Sequence, residues 1–443
     1  MHLLYTLAIV VLAVVLSPWF VYQAIRYRKY IGSLAQRMGY LPVSFNLDGD
    51  ESIWIHAVSV GEALTTRALV ADLRDRYPGL RIFLSTTTLT GQQIARTRLQ
   101  HVDAVFFFPF DLPPFVNRTL RLVRPRLFIM METEIWPNLL RACRRHGVKT
   151  MLVNGRISSR SYPRYRLARA LFRRVLVDVD RFCMQSEESA RRIVDIGADP
   201  SRVAITGSLK FDSLESPAAA AGRGEGRVLR FFRMSPTRPV FMAASTMKGE
   251  EGAALKAFAA VRRAHANALL IIAPRKPERF AEAEALARAE GLRVMRRTEL
   301  GVDAEPRADV VILDSIGELA HLFHVATVVF VGGSLVDHGG HNILEPAVHG
   351  KPIVFGAHMQ NFAEIAQTFL KSQAAVQVAS PADLTDVVVR LMGDPVERAR
   401  LGAAARALVE ANRGAKMRTL SAIADLLPPP GSRGVVRPFR IVN

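Results

Sequence analysis

Two cysteines in 443 residues, Cys143 and Cys183, exclude a disulfide framework. They stand in unrelated contexts, form no metal-ligand spacing, and suit a reducing cytosolic setting. Acidic residues are scarce as well: 40 Asp and Glu against 59 Lys and Arg leave a formal net charge of +19. That balance fits nucleic acid, an anionic membrane face or an acidic substrate equally well. No charged residue precedes Arg26, and no acid precedes Asp48. The start therefore lacks the basic region of a signal peptide, and no small-residue cleavage site follows. The Gly-Lys-Ser/Thr ending of a phosphate-binding loop is missing, which argues against an NTPase. No internal repeat of solenoid period occurs.

What is present is a long apolar start and a mainly globular remainder. The length of 443 residues is enough for two or three domains, and a hydrophobic share of 49% implies that most of the chain folds as a globular body. Leu3 to Val21 is apolar but for Thr6, Ser17 and Pro18, about the length that crosses a bilayer as a helix. Arg26, Arg28, Lys29 and Arg37 follow it, so the positive-inside rule puts the body in the cytoplasm. Pro18 keeps a second reading open, a monotopic helix that dips into one leaflet. Arg156 to Arg174 holds seven arginines and no acid, interleaved with Tyr162, Tyr165, Leu167, Leu171 and Phe172. Beside a membrane anchor this reads as an interfacial face or a contact for an acidic lipid, rather than a plain solvated face.

From Ser52 onward, short apolar runs alternate with amphipathic stretches such as Ala63 to Tyr77. Ile53–Ile55, Ile82–Leu84, Leu127–Met130, Thr150–Val153 and Arg181–Met184 read as buried parallel strands. A small-residue stretch, Ser216 to Gly226, interrupts the pattern. A second series then begins: Val240–Ala243, Leu269–Ala273, Val310–Leu313, Val328–Val331 and Pro352–Phe355. The expected fold is α/β, with two Rossmann-like doubly wound domains and an N-terminal membrane-anchor helix. The expected boundaries are an anchor at 1–25, an N-terminal domain at 26–213, a linker at 214–235, a C-terminal domain at 236–425 and a tail at 426–443. Ligands of such sheets bind beyond the C-terminal strand ends, and the expected site draws on both domains.

The densest motif runs from Val331 to Ala347. The apolar run ending at Val331 feeds into Gly332-Gly333, Ser334, a second pair Gly339-Gly340, and then His341-Asn342-Ile343-Leu344-Glu345 at a helix start. A strand, a glycine-rich turn and a helix N-terminus present unpaired backbone N–H groups and a dipole to an anion. Glu345 is placed to accept hydrogen bonds from a ribose. This predicts a nucleotide site.

Other strand ends also carry polar chemistry. Ser59-Val-Gly-Glu62 follows the first strand, where an acid serves as a cap for the next helix or as a general base toward a sugar hydroxyl. Glu132-Thr-Glu134-Ile-Trp-Pro-Asn138 puts two carboxylates on one side of an extended segment. In Gly207 to Asp212, Lys210 can meet a phosphate, a substrate carboxylate or Glu132. Pro274-Arg275 follows another strand and can fork a phosphate. Ile316-Gly317-Glu318 forms a loop-to-helix turn whose backbone can read a base or a ribose. Asp178 and Asp180 precede their strand, and His338, His341, His349 and His358 lack regular spacing, so neither set predicts a metal.

Together these segments resemble the 3-deoxy-D-manno-octulosonic acid (Kdo) transferases of lipopolysaccharide assembly, from the apolar start to about Leu420. The resemblance implies a GT-B fold and an inverting, metal-independent transfer without a cofactor. Kdo would pass from CMP-Kdo to the lipid A precursor (lipid IVA) at the cytoplasmic face of the inner membrane. In that family the residue matching Glu62 is the proposed base, and those matching Glu132 and Lys210 support the transition state. Positions matching Pro274-Arg275, Ile316-Gly317-Glu318 and Asn342-Ile343-Leu344-Glu345 hold CMP. Met247, Lys276, Ser208 and Ile343 depart from the family's usual His, His, Asn and Pro. The implied partners are CMP-Kdo, the lipid A precursor and the membrane, not nucleic acid. The other enzyme reading is a GT-B membrane glycosyltransferase that uses a UDP-sugar.

Overall fold

Apolar runs flanked by turn residues become strands because both of their faces are covered by helices. In β1 (Ser52–His56), Trp54 packs into one layer of core while Ile53 and Ile55 pack into the other. The computed structural model describes residues 2–27, 31–214, 238–301 and 306–428. The expected linker and tail fall almost wholly outside these ranges.

Two units of chain emerge. Unit 1 combines residues through Ser213 with those from Arg413 onward, and unit 2 spans Leu214–Asn412. Unit 1 is built on β1, β2 (Arg81–Thr86), β3 (Ala104–Phe107), β4 (Pro125–Met131), β5 (Lys149–Gly155), β6 (Arg181–Met184) and β7 (Val203–Ile205). These form a parallel seven-stranded sheet in the order β3-β2-β1-β4-β5-β6-β7. Unit 2 uses β8 (Val240–Thr246), β9 (Leu269–Pro274), β10 (Val294–Arg296), β11 (Val310–Ile312), β12 (Val328–Val331), β13 (Ile353–Phe355) and β14 (Val376–Gln377). Its sheet is also parallel and seven-stranded, in the order β10-β11-β9-β8-β12-β13-β14. The strand order switches direction between β1 and β4 in the first sheet and between β8 and β12 in the second. In open α/β sheets, ligands bind beyond the carboxyl ends of the strands at such switch points.

The helix Ala415–Leu426 lies in unit 1, although the expected C-terminal domain ran to 425. Its start is capped by Asp212, whose two oxygens accept from Gly414 N at 2.8 Å and Lys416 N at 2.7 Å. Leu420, Ile423 and Leu427 then enter the same core as Ile53 and Ile55.

The apolar start forms the helix His2–Tyr27. Tyr5 donates to Asp111 at 3.0 Å, and Thr6 exchanges a hydrogen bond with Asn138, which ties the helix start to unit 1. Beyond that anchorage Leu7, Val11, Leu12, Val14, Val15 and Trp19 are exposed. Among the described residues, no helix is long and apolar enough to cross a membrane.

Candidate active site

In unit 1 the helix Val60–Arg76 is N-capped by Ser59. Ser59 Oγ accepts from Glu62 N, while the Glu62 carboxylate accepts from Val58 N and from Ser59 Oγ, both at 2.9 Å. Glu62 is thus a cap as the local sequence allows, and it is also electrostatically perturbed. Burial, and after it the nearby charge of Glu132, push its carboxyl up to about 7, against the lowering effect of its two hydrogen bonds. Each carboxylate oxygen has a second lone pair, so capping does not exhaust its capacity to accept a proton.

Glu132 follows β4 with φ 56°, the left-handed region that costs a residue with a side chain about 1–3 kcal/mol. Its N–H donates to Val153 O in β5 at 3.0 Å. The turn points its carboxylate at Lys210, whose Nζ lies 3.8 Å away. Lys210 reaches that point because Gly207 takes φ 86° and Ser208 caps the short helix Leu209–Asp212. Glu134, two residues on, accepts from Trp136 Nε1 at 3.0 Å and lies 3.7 Å from His56 Nε2. His56 is fully buried at the end of β1, with Nδ1 against Ser85 and its ring stacked on Phe108 at 3.8 Å. The three residues expected to do chemistry, Glu62, Glu132 and Lys210, therefore gather at the switch point of unit 1. Sequence reasoning missed the link between His56 and Glu134, since a histidine inside an apolar strand carries no distinctive signal.

Unit 2 corrects the reading of the first glycine pair. The backbone N–H groups of Gly333, Ser334 and Leu335 do form an anion-binding nest, but Glu250 fills it. Its carboxylate accepts from Gly333 N at 2.6 Å, Ser334 N at 3.0 Å and Leu335 N at 2.9 Å, and from Met247 N at 2.8 Å. Glu250 is 1% exposed. A buried internal carboxylate occupies the place a phosphate was expected to take, at the β8/β12 switch point. The signal was available in the acidic pair Glu250-Glu251 at a helix start, which ordinarily denotes only a favourable dipole contact. Glu251 is likewise buried and takes Arg279 Nε and Nη2 at 3.2 and 3.0 Å, bracing the loop that carries Arg275.

The second glycine pair leads into the short helix Leu344–Val348. Gly339 and Gly340 take φ 84° and 74°, and a side chain on Gly340 would collide with Met359. Asn342 Oδ1 accepts from Leu344 N at 3.1 Å, and its Nδ2 donates to Glu345 at 3.0 Å. Ile343 and Leu344 are core residues at 0% exposure, so only their backbone is available to a ligand. Burial pushes Glu345 above the usual carboxylate range, against the pull of Asn342 and Arg275. His341 is pushed down to about 4 by burial, then by Arg275 and His338, and its Nε2 has no partner among the described residues. Arg275, exposed after Pro274 in β9, is thus within electrostatic reach of both His341 and Glu345. In the remaining loop, Glu318 pairs with Arg297 and Ser315, Gly317 takes φ 93°, and Ile316 is 76% exposed.

Asp178 and Asp180 pair with Arg144 and Lys149 instead of converging. Of the arginine-rich segment, Tyr162, Tyr165, Leu171 and Phe172 pack against the core, while Arg164, Arg166, Arg169, Arg173 and Arg174 face out.

Among solved structures, UDP-GlcNAc 2-epimerase from Neisseria meningitidis bound to UDP-GlcNAc has a TM-score of 0.58 over 85% of this chain and 100% of its own, at 10% identity. That likeness is one of fold, and the fold is GT-B-like. Residues 32–213 match the family described as 3-Deoxy-D-manno-octulosonic-acid transferase (kdotransferase). The chain is 35% identical to the 3-deoxy-D-manno-octulosonic acid transferase of Haemophilus influenzae over 92% of this chain and 93% of that one. To the enzyme of the same description from Bordetella pertussis it is 34% identical, covering 85% and 87%. The chain is a glycosyltransferase. It belongs to the 3-deoxy-D-manno-octulosonic acid transferase family.

Proposed function

We propose that the chain moves Kdo from CMP-Kdo to the lipid A precursor, with inversion at the anomeric carbon and Glu62 as general base. The observation that carries this reading is the Glu62 carboxyl at about 7, beside Glu132 and Lys210. A base poised near neutral pH combines a useful ionised fraction with a real affinity for the proton. As an acceptor hydroxyl oxygen attacks the anomeric carbon, its proton passes to Glu62. The bond from that carbon to the phosphate oxygen breaks, and CMP leaves with the electron pair. The Lys210 ammonium, held by Glu132, steadies negative charge in the transition state.

The unit 2 loops suit the nucleotide. Arg275 offers a fork to the single phosphate, Glu345 accepts from ribose hydroxyls, and the exposed Ile316 gives an apolar cover for a base. The phosphate contact falls to Arg275 and the Asn342 turn, because Glu250 already occupies the first nest. Here Pro274, Gly317, Glu318, Ile343 and Leu344 serve through backbone and loop shape.

The helix His2–Tyr27 is read as lying in one leaflet, held to unit 1 through Tyr5 and Thr6. Its exposed Leu7, Val11, Leu12, Val15 and Trp19 support that placement, with Arg26 at its end. The outward arginines at 164–174 suit a phosphorylated lipid acceptor and an anionic inner-membrane face on the cytoplasmic side. Donor choice tests the assignment. Transfer to the acylated disaccharide acceptor is expected with CMP-Kdo and not with UDP-sugars; transfer from a UDP-sugar alone would move the chain to the other enzyme reading.

A further inference from the structure

Asn154 stands between two of the proposed catalytic groups, and nothing in the mechanism above uses it. It is 1% exposed and takes φ 56°, a left-handed conformation that asparagine adopts more readily than other residues with a side chain. The register between β5 and β6 breaks between Leu152 and Gly155, so Asn154 is part of a bulge. A bulge re-aims a side chain out of the strand's alternation. Here Asn154 Oδ1 accepts from Leu209 N at 3.0 Å, the residue that opens the helix carrying Lys210. Its backbone oxygen accepts from Gln185 Nε2 at 2.8 Å, which fixes the bulge from β6's side. Its Nδ2 is buried without a partner among the described residues.

The residue before it, Val153, accepts the backbone bond of Glu132. Consecutive residues of one strand therefore hold the two halves of the 3.8 Å pair between Lys210 and Glu132. We propose that Asn154 is the positioning residue that seats Lys210 against Glu132. The inference rests on the reading of Glu62 as the base. Glu62 is faced by Glu132 and Glu134 from the β4 loop, with His56 beside Glu134 and Lys210 beside Glu132. If the ammonium drifts from Glu132, the charge of that carboxylate acts on Glu62 unscreened, and Glu62 ionises at a higher pH.

Full-chain Asn154→Ala, Asn154→Gly and Asn154→Asp separate the contributions. Glycine keeps the left-handed backbone and loses the Oδ1 contact. Aspartate keeps an acceptor for Leu209 N but replaces Nδ2 with an oxygen and adds a buried negative charge, so its kcat is compared with that of glycine on the pH plateau above the acid limb. Alanine and glycine are expected to lower kcat by about tenfold or more, to change KM for CMP-Kdo by less than about twofold, and to move the acid limb of the pH profile upward. Aspartate is expected to recover most of the kcat that glycine loses. In the Lys210→Ala background, Asn154→Gly is expected to add little, since the two act as one unit. A glycine variant as fast as the parent, an aspartate variant no faster than glycine, fully additive losses with Lys210→Ala, or a lowered melting point with an unmoved kcat and pH limb would each overturn the proposal. Glu62→Gln keeps the tests apart. If it stays active the base reading fails, whereas loss with Glu62→Gln beside parent-like Asn154 variants sinks only this inference.

Discussion

At the scale of single residues, charge placement matters more than residue type. Glu62 is raised from the ordinary 4.5 to about 7, first by burial and then by Glu132. Its proton is therefore held more tightly in the folded chain than in the unfolded one. The stability it contributes is fully present below about pH 4.5 and is lost as pH rises through about 7. Activity runs the other way, because the base must be ionised, so kcat/KM is expected to rise with pH through that same value. Glu132→Gln removes a charge that opposes ionisation of Glu62. The residual activity of that variant should show its acid limb at lower pH; a limb that stays put or moves up would refute the coupling. Part of this was legible in the chain itself. Ser-Val-Gly-Glu after a strand predicts a cap or a base, and the carboxylate turns out to be both well capped and strongly perturbed.

At the scale of elements, the central strands were readable and the edges were not. β3, β7, β10 and β14 escaped the sequence pattern, and each is an edge of its sheet. β7, β10 and β14 run only three, three and two residues, too short to show the signature of Val240–Ala243 or Leu269–Ala273, whereas Ala104–Phe107 in β3 is an apolar run that the strand pattern passed over. Long-range partnership was equally hidden. Asp212 looked like part of a ligand motif, yet it caps a helix about two hundred residues away in sequence. Glu250 is a first-turn acid of its helix, a position the sequence pattern leaves unremarkable, yet it fills the nest at Gly333–Leu335. Glu250→Gln is predicted to turn an amide N–H₂ toward backbone N–H groups that need an acceptor, at about 1–3 kcal/mol. Thermal unfolding should then shift down by about 3–10 °C, and CMP binding should weaken as the loop loosens. An unchanged melting point would show that the nest does not depend on the carboxylate's charge.

At the scale of the whole molecule, the proposed function gives the surplus of basic residues and the apolar first helix a common purpose, work on an anionic lipid. The helix is tethered by Tyr5 and Thr6 while the side chains beyond them stay exposed. Replacing Leu12 and Val15 with Asp is predicted to abolish co-sedimentation with anionic vesicles while leaving CMP binding intact; retained vesicle binding would place the membrane contact elsewhere, on the arginine face. The sequence alone showed the first helix's apolarity but not its docking, which depends on Asp111 and Asn138 being brought together by the fold. The central claim is sugar transfer with Glu62 as the base. Its most direct measurement is mass spectrometry of the acylated acceptor after incubation with CMP-Kdo, run for the parent chain and for Glu62→Gln. The parent should add Kdo mass to the lipid with matching CMP release, and the Gln variant should fall by about 100-fold or more while still binding both substrates. No mass gain with the parent, or equal gain with the variant, would contradict the account.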